Sequence, residues 1–179
     1  MDSVAFVMEI EKRFDMRFED DRMSAIHTVE QVAEEVCRIL DVMANRSGER
    51  EQVASVVRRA MPGRSEEEPI DLPLSAGMFD ELTRSLEASG CLLPDLGPFR
   101  SVRILFIMQD PGGTLESPSI GQFIDRIVAH NHHVLIPEKV PASRYAAMMV
   151  VLGIVADNAG VPIMRIALGD SLTNDLGMD

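Results

Sequence analysis

Four stretches of the 179-residue chain hold side chains or backbone of the kind that does chemistry. Residues 169–172 read GDSL, which puts Ser171 forward as a nucleophile. A serine becomes nucleophilic only beside a histidine base that a carboxylate orients. The D-x-x-H pair that would supply both occurs nowhere in the chain, and only seven residues follow Leu172. Ser171 therefore reads as a loop residue, with Asp170 or Ser171 capping a short turn. His130, His132 and His133 cluster in AHNHH. A metal centre needs further ligands in suitable geometry, so the sequence reading is a solvated helix end whose cationic character suits the C-terminal dipole. QDPGGT (109–114) has the glycines of a phosphate cradle but lacks its lysine, and reads as a turn. SEEE (65–68) reads as a solvated charge run.

Composition narrows the classes. Apolar residues make up 46% and aromatics only 4%, with no Trp, one Tyr and twelve Met. A core of Leu, Ile, Val, Met and Ala suits helices better than a β-sandwich. The methionines at 108, 148, 149 and 164 read as packing filler. A net charge of -12 opposes a phosphate backbone and favours partners with basic patches. Cys37 and Cys91 stand apart without metal-ligand spacing, so neither a disulfide nor a zinc site is expected, and a reducing cytoplasm fits. No run of about 18 apolar residues predicts a spanning helix. Asp2 and the absence of a basic start argue against a signal peptide.

Periodicity supplies the elements. Val4, Phe6, Val7, Ile10 and Phe14 mark one face of a first helix, ended by the acidic break FEDDRM (18–23). Thr28 is a candidate N-cap for a helix with Val29, Val32, Ala33, Val36 and Leu40 inward. Residues 44–52 read as a polar linker, 52–61 as a short helix, 63–73 as irregular and 75–89 as an amphipathic helix. SVRILFIM (101–108) reads as a buried strand or a short helix, with its length favouring the strand. Ile120, Phe123, Ile124, Ile127 and Val128 make a further apolar face over 119–131. HVLIPEKVP reads as extended at its Pro residues. Residues 143–158 form an apolar helix, with Gly160 as its C-cap and Pro162 just beyond. The rest reads as a loop anchored by apolar side chains.

Placing the end of the chain before its beginning gives ADNAGVPIMRIALGDSLTNDLGMD followed by MDSVAFVMEIEKRFDMRFEDDRMSAIHTVEQVAEEVCRIL. That text resembles the acyl carrier proteins. Asp175, Leu176, Gly177 and Asp179 match the family's D-L-G-x-D approach. Met1 to Val4, Val7, Met8, Ile10, Glu11 and Phe14 match its second helix. Phe18 to Asp21 fill its acidic stretch, and Ile26 to Val29 resemble its I-T-T-V. The likeness covers about 65 residues, in the right order and spacing.

The resemblance implies a mainly α fold: an acyl-carrier-like four-helix bundle built from the two chain ends, around a middle of helical or small α/β structure. Residues 1–42 would supply the second to last helices and 141–179 the first helix with its loop. Residues 43–140 would be an appended segment or a degenerate second carrier unit, in which Ser119 stands near the attachment position. The family carries acyl or aminoacyl groups as thioesters on 4′-phosphopantetheine, and catalyses nothing itself. In the gapless register the modified serine falls between Asp179 and Met1, where none is written. Ser3, after Asp2, is the alternative attachment residue. Either way the phosphodiester would sit at a helix N-terminus, where free N–H groups and the macrodipole favour it, and Asp179 and Met1 would lie side by side. A phosphopantetheinyl transferase and acyl-loading or acyl-transferring enzymes of fatty-acid, polyketide or related biosynthesis would be the partners. They would dock on Val4, Met8, Glu9, Glu11 and Asp15. Ala5 stands where the family usually has an acidic residue, which points to a specialised partner. The competing resemblance, of IALGDSLT to GDSL-type serine esterases, would make Ser171 catalytic. A carrier-like interaction module without an arm is the third reading.

Overall fold

Thr28 and Ser119 open two helices in the same way, and the fold is organised around that repetition. The computed structural model describes residues 3–44, 48–70, 74–96 and 118–178, and among these it is mainly helical, with no strand. The helices are α1 (Ser3–Phe14), α2 (Asp20–Met23), α3 (Val29–Ile39), α4 (Gly48–Ala60), α5 (Ala76–Glu87), α6 (Ile120–His130), α7 (His132–Leu135) and α8 (Arg144–Ala159). A 3-10 turn at Ile163–Arg165 follows. The strand expected over 101–108 and the turn at 109–114 lie outside the described residues.

The hydroxyl of Thr28 accepts from the Gln31 N–H while the Gln31 side chain accepts from the Thr28 N–H, a complete capping box. Ser119 and Gln122 do the same for α6. The next two free N–H groups of each helix go to a loop. Val29 donates to the Asp170 carbonyl (3.3 Å) and Glu30 to that of Leu168 (2.9 Å), and Leu172 donates back to His27 (2.9 Å). Ile120 donates to Glu68 (2.9 Å) and Gly121 to Glu66 (2.8 Å), and Ile70 donates back to Pro118 (2.9 Å). The pattern is the same, bond for bond, around the bridges Thr28–Ser171 and Pro69–Ser119. It satisfies the first three orphan donors of both helices. Pro69 fits because the bridge asks it for no N–H.

The repetition extends to the core. Val29, Val32, Ala33, Val36 and Cys37 of α3 and Ile120, Phe123, Ile124, Ile127 and Val128 of α6 are buried at matching positions after their caps. Each capped helix packs on a hub: α3 on α8, and α6 on α4. α1 also lies on α8 and α5 on α4, and α7 packs on α8 too. α6 packs on α8 as well, so α4, α5 and α6 of the middle segment share one core with the elements from the chain ends. Ser119, read from sequence as near an attachment position, caps α6 as Thr28 caps α3.

Several expectations hold. Helices α5 and α8 lie within or across the expected 75–89 and 143–158, and Gly160 closes α8 in the left-handed region at φ 64°. Residues 63–70 are irregular, and the loop from 160 is anchored by the buried Ile163, Met164, Ile166, Leu172, Leu176 and Met178. Others need correction. α4 starts at Gly48, inside the expected linker, because Glu49 and Glu51 suit its positive N-terminus and Arg58 and Arg59 its C-terminus. The start of HVLIPEKVP adds a short helix that was not expected, since residues 132–135 form α7. On α1 the buried row is Phe6, Ile10 and Phe14, spaced by four, while Val4 is 61% exposed. At about 100° per residue Val4 lies about 120° from Ile10 around the helix, which takes it off the face read from the sequence.

The charge run at 65–68 is also more than solvated surface. Glu66 accepts from Arg50 (2.7 Å) and Arg58 (2.8 Å). Arg50 also donates to Asp125 (2.9 Å), which accepts from the Tyr145 hydroxyl (2.8 Å). The network ties the 63–70 loop to α4, α6 and α8, and burial beside Asp125 pushes the Tyr145 phenol upward. Replacing Arg50 with methionine leaves Glu66 to Arg58 and Asp125 to Tyr145 alone, so urea denaturation should report a loss of about 1–2 kcal/mol. Arg58→Met, at an exposed pair, should cost far less.

Glu35 gives a pH signature. It is 8% exposed on α3, and Arg38 donates two bonds to it at 2.7 and 2.9 Å, with Arg22 of α2 at 3.9 Å. Those bonds, above all from Arg38, hold the carboxyl below its ordinary value. A depressed pKa stabilises the fold above the unfolded value and stops doing so as pH falls. Glu35→Gln should therefore flatten the loss of stability below about pH 4.5, read from urea midpoints along a pH series.

Candidate functional site

The candidate attachment region begins where α1 begins. Ser3 is the first residue of that helix. Met1, Asp2 and Asp179, and with them the expected contact between the two ends, lie outside the described residues. Turn bonds fold residues 171–178 on themselves: Asp175 and Leu176 donate to the Ser171 carbonyl, and Met178 donates to Leu172 (2.9 Å). Gly177 adopts φ 67°, a left-handed conformation that glycine takes without steric cost. The bridge at Ser171 fastens this loop to the head of α3, and α1 and α3 both lie on α8. Elements from the two ends of the sequence are thus assembled together.

The five predicted docking residues divide by environment. Val4 and Met8 are apolar and open, at 61% and 62% exposure. The three carboxylates have partners within the chain. Glu9 accepts from the Asn158 amide (2.6 Å) and fixes α1 to the end of α8. Glu11 accepts from the Phe18 N–H (2.9 Å) and shapes the loop after α1. Asp15, at φ 55°, pairs with Lys139 (3.3 Å). Beside Met8 a groove of about 730 Å³ runs between α1 and the segment after α7, lined by Met8, Glu9, Lys12, Arg13, His133, Pro137 and Lys139. Arg13 holds its wall in place by donating to the carbonyls of Ile136 and Glu138.

Ser171 has the turn role read from sequence. Its hydroxyl accepts from the Asn174 N–H (3.2 Å), its own N–H donates to Asp175 (2.8 Å), and Asp170 accepts from the Ala167 N–H. No histidine ring hydrogen-bonds it among the described residues.

The histidine cluster contradicts the expectation of a solvated helix end. His132 is 4% exposed and Asn131 equally buried. The Asn131 amide grips the backbone of Leu92, accepting from its N–H (2.6 Å) and donating to its carbonyl (2.8 Å). His132 is seated against Gly153 of α8, where a Cβ would meet its Nδ1 at 2.2 Å and the Ala129 carbonyl at 2.5 Å. Burial pushes His132 and His130 below the ordinary imidazole value. Cys37 and Cys91 are buried free thiols, pushed upward by burial. Sequence reasoning missed Asp157, Gly153 and Asn131. A glycine in the middle of an otherwise apolar helix was the available signal for a close approach.

No protein-family model matches the chain, and neither the curated proteins nor the solved structures yield a match. No described helix is long and apolar enough to cross a membrane.

Proposed function

We propose that the protein is a carrier in which α8, α1, α2 and α3, taken in that order, make an acyl-carrier-like four-helix bundle. Ser3 is the residue that receives 4′-phosphopantetheine from a separate transferase, and the arm presents acyl or aminoacyl thioesters to partner enzymes of fatty-acid, polyketide or related biosynthesis. The observation that carries this reading is the clamp between Ser171 and Thr28, which fastens the loop after α8 to the head of α3 while α1 and α3 share α8. Ser3 is favoured over an unwritten serine because it already opens α1, and the positive end of a helix dipole favours a phosphodiester. The exposed pair Val4 and Met8 supplies an apolar docking face.

Intact-protein mass after incubation with coenzyme A and a broad-specificity phosphopantetheinyl transferase tests it. One phosphopantetheine adduct, missing in Ser3→Ala, is the expected result. An unmodified chain sinks the carrier reading in favour of the arm-less interaction module. Ester hydrolysis abolished by Ser171→Ala would instead revive the esterase.

A further inference from the structure

We infer that His132, His133 and Asp157 form a binding site for a divalent transition-metal ion of the zinc class, linking α7 to α8. One ligand atom from each of the three lies within 4.8 Å of the others. His132 Nδ1 faces the Ala129 carbonyl at 2.9 Å. A carbonyl only accepts, so Nδ1 carries the proton and Nε2 keeps its lone pair. That arrangement, one ring nitrogen bonded to a backbone carbonyl and the other free, is how ligating histidines are oriented. The Nε2 lone pair accepts from His133 Nδ1–H at 3.2 Å, a proton that a metal ion would replace. Two nitrogens about 2.05 Å from a tetrahedral zinc lie about 3.3 Å apart, so the observed spacing is already that of two ligands on one ion.

The third ligand closes the set. Asp157 is exposed near the end of α8 and reaches the ion by rotating its own side chain. The ring of His132 cannot drift, because it is wedged against Gly153 and the backbone of α6. Loading needs no net proton release. His133 moves its proton from Nδ1 to Nε2 through solvent, and Nδ1 then donates its lone pair to the metal. His133 also lines the groove beside α1, so water reaches the fourth position and the ion enters from that side. The inference stands apart from the carrier reading, since it uses no residue of α1.

Calorimetric titration of the full chain with zinc chloride tests it, alongside cobalt(II) absorption in the visible region. His132→Ala leaves a cavity and need not fold, so the informative variants are His133→Ala and Asp157→Asn, both at exposed positions. The wild type should bind one zinc ion, give the intense visible bands of four-coordinate cobalt and melt at a higher temperature with zinc. His133→Ala should weaken binding at least 100-fold and Asp157→Asn at least 10-fold, and both should lose the cobalt bands. Wild-type affinity no better than millimolar, or affinity unchanged by both substitutions, overturns the site.

Discussion

Gly153→Ala is expected to lower stability by at least about 2 kcal/mol, although alanine is the better helix former. Propensity alone favours the change by about 1 kcal/mol, because glycine gives up more backbone freedom on folding. Contact reverses the sign. The new methyl would stand 2.2 Å from His132 Nδ1 and 2.5 Å from the Ala129 carbonyl. Both distances are far inside van der Waals contact. The carbonyl belongs to the last turn of α6 and cannot swing aside. The ring is buried between α6 and α8. Overpacking of this kind costs about 1–3 kcal/mol in ordinary cores, and here it also breaks the bond from His132 to Ala129. Equilibrium urea denaturation checks it. The contrast is Gly160→Ala, where nothing lies near the Cβ and only the left-handed φ of 64° is strained; a loss of about 1 kcal/mol is expected there.

Phe6→Ala should cost still more, about 3–5 kcal/mol. Phe6 is 2% exposed, in the row with Ile10 and Phe14 that holds α1. Among the described helices α1 packs mainly on α8, so little else can collapse into the space. For a chain of this length each kcal/mol shifts the melting temperature by roughly 2–4 °C, and a fall of about 10 °C or more is expected by calorimetry. Val4→Ala and Met8→Ala, on the opposite side of α1, should stay within about 0.5 kcal/mol of wild type. If α1 were a detached segment, Phe6→Ala would be as mild as they are.

The sequence reading succeeded where a local rule decides the structure. Thr28 as a cap, Gly160 as a stop and the buried row after Ser119 follow from side chains near one another in the chain. It failed where distant segments meet. The solvated reading of AHNHH overlooked that Gly153 leaves a slot for His132 twenty-one residues before it. The linker reading of 44–52 weighed the polarity of GER but not the fit of Glu49 and Glu51 to a helix start. The repeated clamp was hidden because its two loops share a backbone pattern rather than side chains: Leu168, Asp170 and Leu172 do the work of Glu66, Glu68 and Ile70. Its signal was present in T-x-x-Q and S-x-x-Q, the two capping boxes. Order and spacing in the sequence named Glu9, Glu11 and Asp15, but not their internal partners, which come from α8, the loop after α1 and the 136–143 segment.

The central claim is that the head of α1 carries the prosthetic arm. Labelling the full chain with a fluorescent coenzyme A analogue and a phosphopantetheinyl transferase, then mapping the label by tandem mass spectrometry, tests it most directly. The account predicts a single label on Ser3, lost in Ser3→Ala and retained in Ser171→Ala and Ser119→Ala. No label, or a label on a serine outside the start of α1, would contradict it.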